Sequence, residues 1–162
     1  MLLKPDMRVD KITDITIEML KSNNIKAVIL DSDNTLIDLN KNPLDGIKEW
    51  INEMKKNGIK FCILSNSIKK KKVESVSKML DIPYIFFSVK PTKYGFIKAK
   101  KILGIKENQN IAEIGDQLFT DVLGAKRMKM FSILTKPICE EKVKINNIKR
   151  KIEKKILEKV DR

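Results

Sequence analysis

Five short apolar segments, rich in β-branched or aromatic residues, alternate along the chain with segments in which apolar residues recur every three or four positions. The first pattern is typical of buried strands, and the second is typical of helices that pack one face on a core. The predicted strands cover residues 26–30, 60–64, 84–87, 111–114 and 130–134. The predicted helices cover residues 14–22, 44–57, 69–80, 93–103 and 119–129.

This alternation predicts an α/β fold, a Rossmann-like parallel sheet of five strands with helices on both faces. Because crossovers between parallel strands are right-handed, we expect the strand order 3-2-1-4-5, counted along the chain. The first strand is then central, and ligands of such sheets bind beyond the carboxyl ends of the strands where the order reverses. Functional residues should therefore stand directly after the strands.

Polar residues do follow four of the predicted strands. These groups are Asp31-Ser32-Asp33-Asn34-Thr35, Ser65-Asn66-Ser67, Lys90-Pro91, and Gly115-Asp116 with Asp121. Each group alone also occurs in turns and helix caps, whereas all four at successive strand ends point to one shared crevice. The sequence therefore predicts a single site built from four loops.

The chemistry of these groups fits phosphoryl transfer. The two carboxylates of the first loop, Asp31 and Asp33, with one or both of those of the fourth loop, Asp116 and Asp121, form a hard, oxygen-only site of the kind that Mg²⁺ prefers. Asp31 can act as a covalent nucleophile, and Asp33 can protonate the leaving alkoxide and then deprotonate water. A cation and polar donors for the phosphate oxygens come from Ser65, Asn66 and Lys90.

In this order the four groups resemble the motifs of the haloacid dehalogenase (HAD) superfamily. The resemblance implies that Asp31 is the nucleophile, that Asp33 is the acid/base, and that Mg²⁺ is held by Asp31, the main-chain carbonyl of Asp33 and Asp116, with Asp121 nearby. More narrowly, the chain is similar to the YqeG-type class IIIA phosphatases, whose relatives include phosphatases of phosphatidylglycerophosphate. That similarity rests on Leu3-Lys4-Pro5-Asp6, Asp33-Asn34-Thr35-Leu36, Lys90-Pro91 with Gly95-Phe96, and Gly115-Asp116-Gln117-Leu118.

Composition narrows the possible functions. The chain has no histidine, which excludes histidine phosphatases and Ser/His hydrolases. Its net charge of +13 comes mostly from lysine, which reflects either codon bias or anionic partners. Scarce arginine and few aromatic residues make nucleic acid an unfavoured partner. Cys62 and Cys139 lack metal-ligand spacing, and the apolar surroundings of Cys62 indicate a buried free thiol in a reducing cytoplasm.

We expect residues 1–135 to form the phosphatase domain, including an N-terminal helix, and residues 136–162 to form a basic, helical tail. The loops leave no room for an inserted cap domain, so the predicted fold is capless and its crevice open. The tail carries an apolar stripe with lysines around it (Ile145, Ile148, Ile152, Ile156 and Val160), which fits either packing on the domain or peripheral contact with a membrane.

Candidate substrates are phosphatidylglycerophosphate, a soluble sugar phosphate and a nucleotide. A basic module for RNA or the ribosome is the alternative outside enzymes.

Overall fold

The computed structural model describes residues 1–140 and 144–161. In it, six parallel strands form one sheet in the order β1-β6-β5-β2-β3-β4. The strands are β1 (Met7–Val9), β2 (Ala27–Leu30), β3 (Lys60–Leu64), β4 (Tyr84–Ile85), β5 (Ile111–Gly115) and β6 (Phe131–Thr135). The strand that ends before Asp31, β2, lies between β5 and β3, in the interior of the sheet.

The expectation of five strands is wrong in number, whereas the five predicted strands stand in the expected order 3-2-1-4-5, as β4-β3-β2-β5-β6. The sheet has a sixth strand, β1, which pairs in parallel with β6 and forms an edge. This strand has only three residues and no apolar run, so hydrophobic patterning does not reveal it. It is anchored by Asp6, whose Oδ2 accepts hydrogen bonds from the backbone N (2.8 Å) and Oγ (2.9 Å) of Ser132.

The helices cover both faces of the sheet, as an α/β fold requires. They are α1 (Ile17–Ser22), α2 (Ile47–Lys56), α3 (Lys70–Leu80), α4 (Lys93–Leu103), α5 (Leu123–Arg127) and α6 (Lys144–Val160). One core joins α1, α2 and α3 to alternate strand residues such as Val28 and Leu30, and a second joins α4 and α5 to Ala27 and Ile29. The period-two alternation of β2 therefore supplies both cores.

Two predicted helices differ in detail from the structure. The segment predicted as a helix over residues 14–22 is a 3₁₀ turn, Ile12–Asp14, followed by α1. The segment predicted over residues 119–129 begins as a π-helical turn, Leu118–Val122, which continues into α5. Such wide turns often occur at functional sites, and this one carries Asp121.

Helix α6 packs on the domain through only part of its predicted apolar stripe. Ile156 and Leu157 contact a small core of Leu118, Val122 and Leu134, whereas Ile148 and Ile152 are exposed. The side chain of Ile145 lies outside the described part of the chain. Within residues 1–140 and 144–161, none of the helices combines the length and apolar character needed to cross a bilayer. Contact of the tail with a membrane surface stays a prediction.

Candidate active site

Three of the predicted carboxylates meet beyond the carboxyl ends of β2 and β5. One oxygen from each of Asp31, Asp116 and Asp121 lies within 4.8 Å of the other two, and all three side chains are buried. Thr35 connects two of them, because its Oγ1 lies 3.2 Å from Asp31 Oδ2 and 3.2 Å from Asp116 Oδ1. These acids come from two of the four predicted loops, those that follow β2 and β5.

Gly115 allows this close approach. A Cβ at this position would lie 2.2 Å from Oδ2 and 2.3 Å from Cγ of Asp121, so any other residue would displace the Asp121 carboxylate. The same Asp121 Oδ2 accepts a hydrogen bond from the backbone N of Gln117 at 3.0 Å. The π-helical turn and Gly115 together place the Asp121 carboxylate against the end of β5.

Lys90 is the cation at the centre of these acids. Its Nζ lies 2.7 Å from Asp121 Oδ1, 3.0 Å from Asp31 Oδ1 and 3.4 Å from Glu113 Oε1. The lysine and all three acids are buried. Glu113 was not predicted, although a single charged residue inside the apolar strand β5 is a signal that could have identified it.

The second motif supports the Lys90 loop. The Asn66 side chain accepts from Lys90 N (2.7 Å) and Ser88 Oγ (2.8 Å), and donates to Lys90 O (3.0 Å). Its polar atoms are thus engaged with the backbone and with Ser88. Ser65 is buried, and its Oγ accepts from the backbone N of Ser67 at 3.2 Å. A role of Ser65 and Asn66 in phosphate binding stays a prediction.

Asp33 lies apart from the carboxylate group. Its Oδ1 pairs at 2.5 Å with Nζ of Lys72, on α3, and its side chain is partly exposed. The Asp33 carboxylate does not belong to the acidic group of the described residues that could hold a metal ion.

Arg150 on α6 was also not predicted. Its guanidinium donates to the carboxylate of Asp116, and its Nη1 donates to the backbone carbonyl of Asp116 at 2.5 Å. Glu153, one turn further along α6, is buried and accepts from the backbone N of Phe119 at 3.3 Å. No local pattern links α6 to Asp116. The only sequence signal was that Arg150 is one of two arginines in a tail rich in lysine.

Burial controls the protonation of the site. Desolvation raises the pKa of Asp31 to about 6; the charges of Asp121 and Asp33 add to this, and Lys90 opposes it. Desolvation also raises the pKa of Asp116 and of Glu113 well above their usual values. Burial alone would lower the pKa of Lys90, but the neighbouring carboxylates of Asp121, Asp31 and Glu113 raise it well above normal.

The donor set fits a small divalent cation. Asp31, Asp116 and Asp121 present hard carboxylate oxygens, which Mg²⁺ prefers. Among the described residues, five carboxyls contact Lys90 or Arg150, namely those of Asp31, Asp116, Asp121, Glu113 and Glu153. When all are ionised, the five carboxylates and the two cations together carry a net formal charge of −3. The raised pKa values of Asp31, Asp116 and Glu113 reflect the burial of this acidic group. A divalent cation would balance its charge.

A cavity of about 670 Å³ adjoins the site on the α6 side. Asp116 and Arg150 are among the residues that line it. The other lining residues include apolar and basic side chains, among them Leu118, Leu134, Leu157, Lys136, Lys151 and Lys154. A group attached to a phosphate held near Asp31 could extend into this space.

Known proteins of similar sequence and fold agree with this picture. A family model described as mitochondrial PGP phosphatase matches residues 1–139. The probable phosphatase YqeG of Bacillus subtilis (strain 168) is 38% identical over 159 residues, which are 98% of this chain and 91% of that protein.

Two solved structures share the fold. An uncharacterized protein from Listeria monocytogenes serotype 4b gives a TM-score of 0.57 at 21% identity, over 74% of this chain and 84% of its own. The cobalt-bound deoxy-D-mannose-octulosonate 8-phosphate phosphatase of Haemophilus influenzae gives a TM-score of 0.51 at 22% identity, over 60% of this chain and 61% of its own.

Proposed function

Because the chain belongs to the mitochondrial PGP phosphatase family and is a YqeG-type HAD phosphatase, we propose that it hydrolyses phosphate monoesters through an aspartyl-phosphate on Asp31, with Mg²⁺ as cofactor. The observation that carries the proposal is the buried group of Asp31, Asp116 and Asp121 around Lys90. Binding of RNA, a polyanion, does not account for the four buried carboxyls of Asp31, Asp116, Asp121 and Glu113 in and beyond the carboxyl ends of β2 and β5.

The residues divide the reaction into two displacements. In the first, an oxygen of Asp31 attacks phosphorus, the bond to the ester oxygen breaks, and Asp33 gives its proton to the leaving alkoxide. In the second, Asp33 takes a proton from water, the water oxygen attacks phosphorus, and the bond to Asp31 breaks to release inorganic phosphate. The half-exposed position of Asp33 suits it to the proton transfers, and the buried position of Asp31 suits it to the attack.

Charge stabilisation falls to Lys90 and the metal. Lys90 Nζ is 3.0 Å from Asp31 Oδ1, close enough to orient the nucleophile and to neutralise phosphate oxygens. Mg²⁺, held by Asp31, Asp116 and the Asp33 carbonyl with Asp121 in support, would supply charge neutralisation at phosphate. Arg150 donates to the Asp116 carboxylate and would orient it.

For the substrate we propose phosphatidylglycerophosphate, which the family description and the mixed apolar and basic cavity beside Asp116 support. Soluble sugar phosphates and nucleotides are the alternative. No cap domain interrupts residues 31–59 or 86–92, so nothing inserted there encloses a small metabolite. A phosphate-release screen with phosphatidylglycerophosphate vesicles beside soluble phosphates distinguishes these substrates.

The reaction type is tested with a small aryl phosphate. Asp31→Asn should abolish turnover and leave the melting temperature nearly unchanged, because the amide is isosteric but a poor nucleophile and metal ligand. Asp10→Asn, at an exposed acid paired with Lys136, is the matched control and should behave as the wild type. EDTA should stop the reaction, Mg²⁺ should restore it and Ca²⁺ should not, since Ca²⁺ takes more ligands at longer distances. More than a tenth of wild-type activity in Asp31→Asn would remove Asp31 from this role.

A further inference from the structure

An apolar surface follows the carboxyl ends of β3 and β4, at the other end of the sheet from β6, whose Leu134 packs against α6. It consists of Ile68, after β3, and of Phe86, Phe87 and Val89, after β4; we call these four residues the rim surface. Ile68 is 74% exposed, Phe87 56% and Val89 43%. The two loops are joined, because Phe87 N donates to Ser67 O at 2.9 Å. Contiguous exposed apolar residues of this kind mark interaction sites.

The backbone holds the rim surface in place. Phe87 (φ 49°) and Val89 (φ 56°) both have left-handed conformations, which are rare for bulky and β-branched residues. Hydrogen bonds from Ser88 N to Ser65 O and from Lys90 N to Asn66 Oδ1 maintain this geometry. It turns Ser88 and Lys90 inward and the two apolar side chains outward. Polar residues at positions 87 and 89 would serve that geometry equally well, so their apolar character requires another explanation.

The charge beside the rim surface indicates the partner. Exposed Lys69, Lys70 and Lys71 follow Ile68 directly, and Lys70 Nζ lies 6.0 Å from the centre of the Phe86 ring. The first turn of α3 holds no acidic residue, although a helix N-terminus disfavours cations. Lys72, by contrast, pairs with Asp33. Apolar side chains bordered by exposed lysines complement the interface of an anionic bilayer.

We propose that the rim surface, with Lys69, Lys70 and Lys71, docks the protein on an anionic membrane and turns the crevice mouth toward the lipid. One consequence of docking, access to phosphate esters at the membrane surface, rests on the proposed phosphatase function. Docking itself is independent of turnover. Helix α6, with exposed Ile148 and Ile152, is the competing surface.

The test is sedimentation of the full chain with phosphatidylglycerol/phosphatidylcholine vesicles and with phosphatidylcholine alone. The double variant Ile68→Ser/Phe87→Asn should weaken binding to the anionic vesicles by about tenfold or more, because both apolar contacts are lost. Replacing Lys69, Lys70 and Lys71 by Gln should have a similar effect at low salt and little further effect at high salt, where charge is screened. The matched control Ile148→Ser/Ile152→Ser should bind within about twofold of wild type.

Hydrolysis of the aryl phosphate should stay within about twofold of wild type in every variant, since none alters a proposed catalytic or binding residue. Rim variants that bind as the wild type does would overturn the proposal, as would loss of binding in the α6 control alone. Equal binding to neutral vesicles, or self-association of the wild type through this surface without vesicle binding, would also overturn it. If no form hydrolyses the ester, the phosphatase proposal fails, while vesicle binding still decides the docking surface.

Discussion

Replacing Lys90 with methionine should destabilise the fold far more than removing an exposed lysine. Lys90 Nζ lies between 2.7 and 3.4 Å from oxygens of Asp121, Asp31 and Glu113. At an effective dielectric near 20, each contact corresponds to about 5 kcal/mol of Coulombic attraction, most of which the desolvation of the buried charges offsets. Removing one partner of such a network costs about 3–5 kcal/mol, because the others remain buried and uncompensated.

The magnitude can be measured as a melting temperature in EDTA. For a chain of this size, 1 kcal/mol shifts the melting temperature by about 2–4 °C, so Lys90→Met should melt about 10 °C lower. Lys136→Met is the matched control, because Lys136 pairs with Asp10 at 2.6 Å but the two side chains are 73% and 72% exposed. Exposed pairs contribute less than about 1 kcal/mol.

Two further measurements identify the cause. The drop in melting temperature caused by Lys90→Met should be smaller at pH 5 than at pH 8, because a protonated carboxyl needs no counterion. Adding Glu113→Gln to Lys90→Met should recover part of the stability by removing one of the unpaired acids. Equal melting temperatures for Lys90→Met and Lys136→Met would refute the reasoning, and so would a loss independent of pH.

The remaining predictions concern Asp33 and Arg150. Asp33→Asn should slow aryl phosphate hydrolysis by about 10²–10⁴-fold, because it removes the acid/base group. It should lower the melting temperature by no more than about 2–4 °C, since the ion pair that it breaks with Lys72 is partly exposed. A change in rate of less than threefold would contradict the role. Arg150→Ala should raise the Mg²⁺ concentration for half-maximal activity by about tenfold or more, because residues that orient a metal ligand typically contribute that much to affinity. The Mg²⁺ requirement of Arg150→Lys should lie between those of the wild type and Arg150→Ala. An unchanged requirement in Arg150→Ala would show that Asp116 needs no orientation by Arg150.

The sequence predicted those parts of the site that follow strands directly. Asp31, Lys90 and Asp116 could be placed together because the carboxyl ends of parallel strands meet at one edge. Arg150 could not be placed there from the sequence, because its contact with Asp116 depends on where α6 packs on the domain. Neither the apolar periodicity nor the charge of the tail indicates that position. Edge strand β1 was not predicted for a related reason. It is held beside β6 by the Asp6–Ser132 contact and has no apolar pattern of its own.

The contact between Arg150 and Asp116 also bears on biosynthesis. Helix α6 follows every strand in the chain, so the ribosome completes β5 and its Asp116 well before Arg150 emerges. A nascent chain can assemble the sheet and gather its acids, yet Asp116 lacks its guanidinium partner until α6 has been translated and docked. The contact with Asp116 can therefore form only after α6 has been synthesised, and chains interrupted before α6 should carry the four motifs without the Arg150–Asp116 contact.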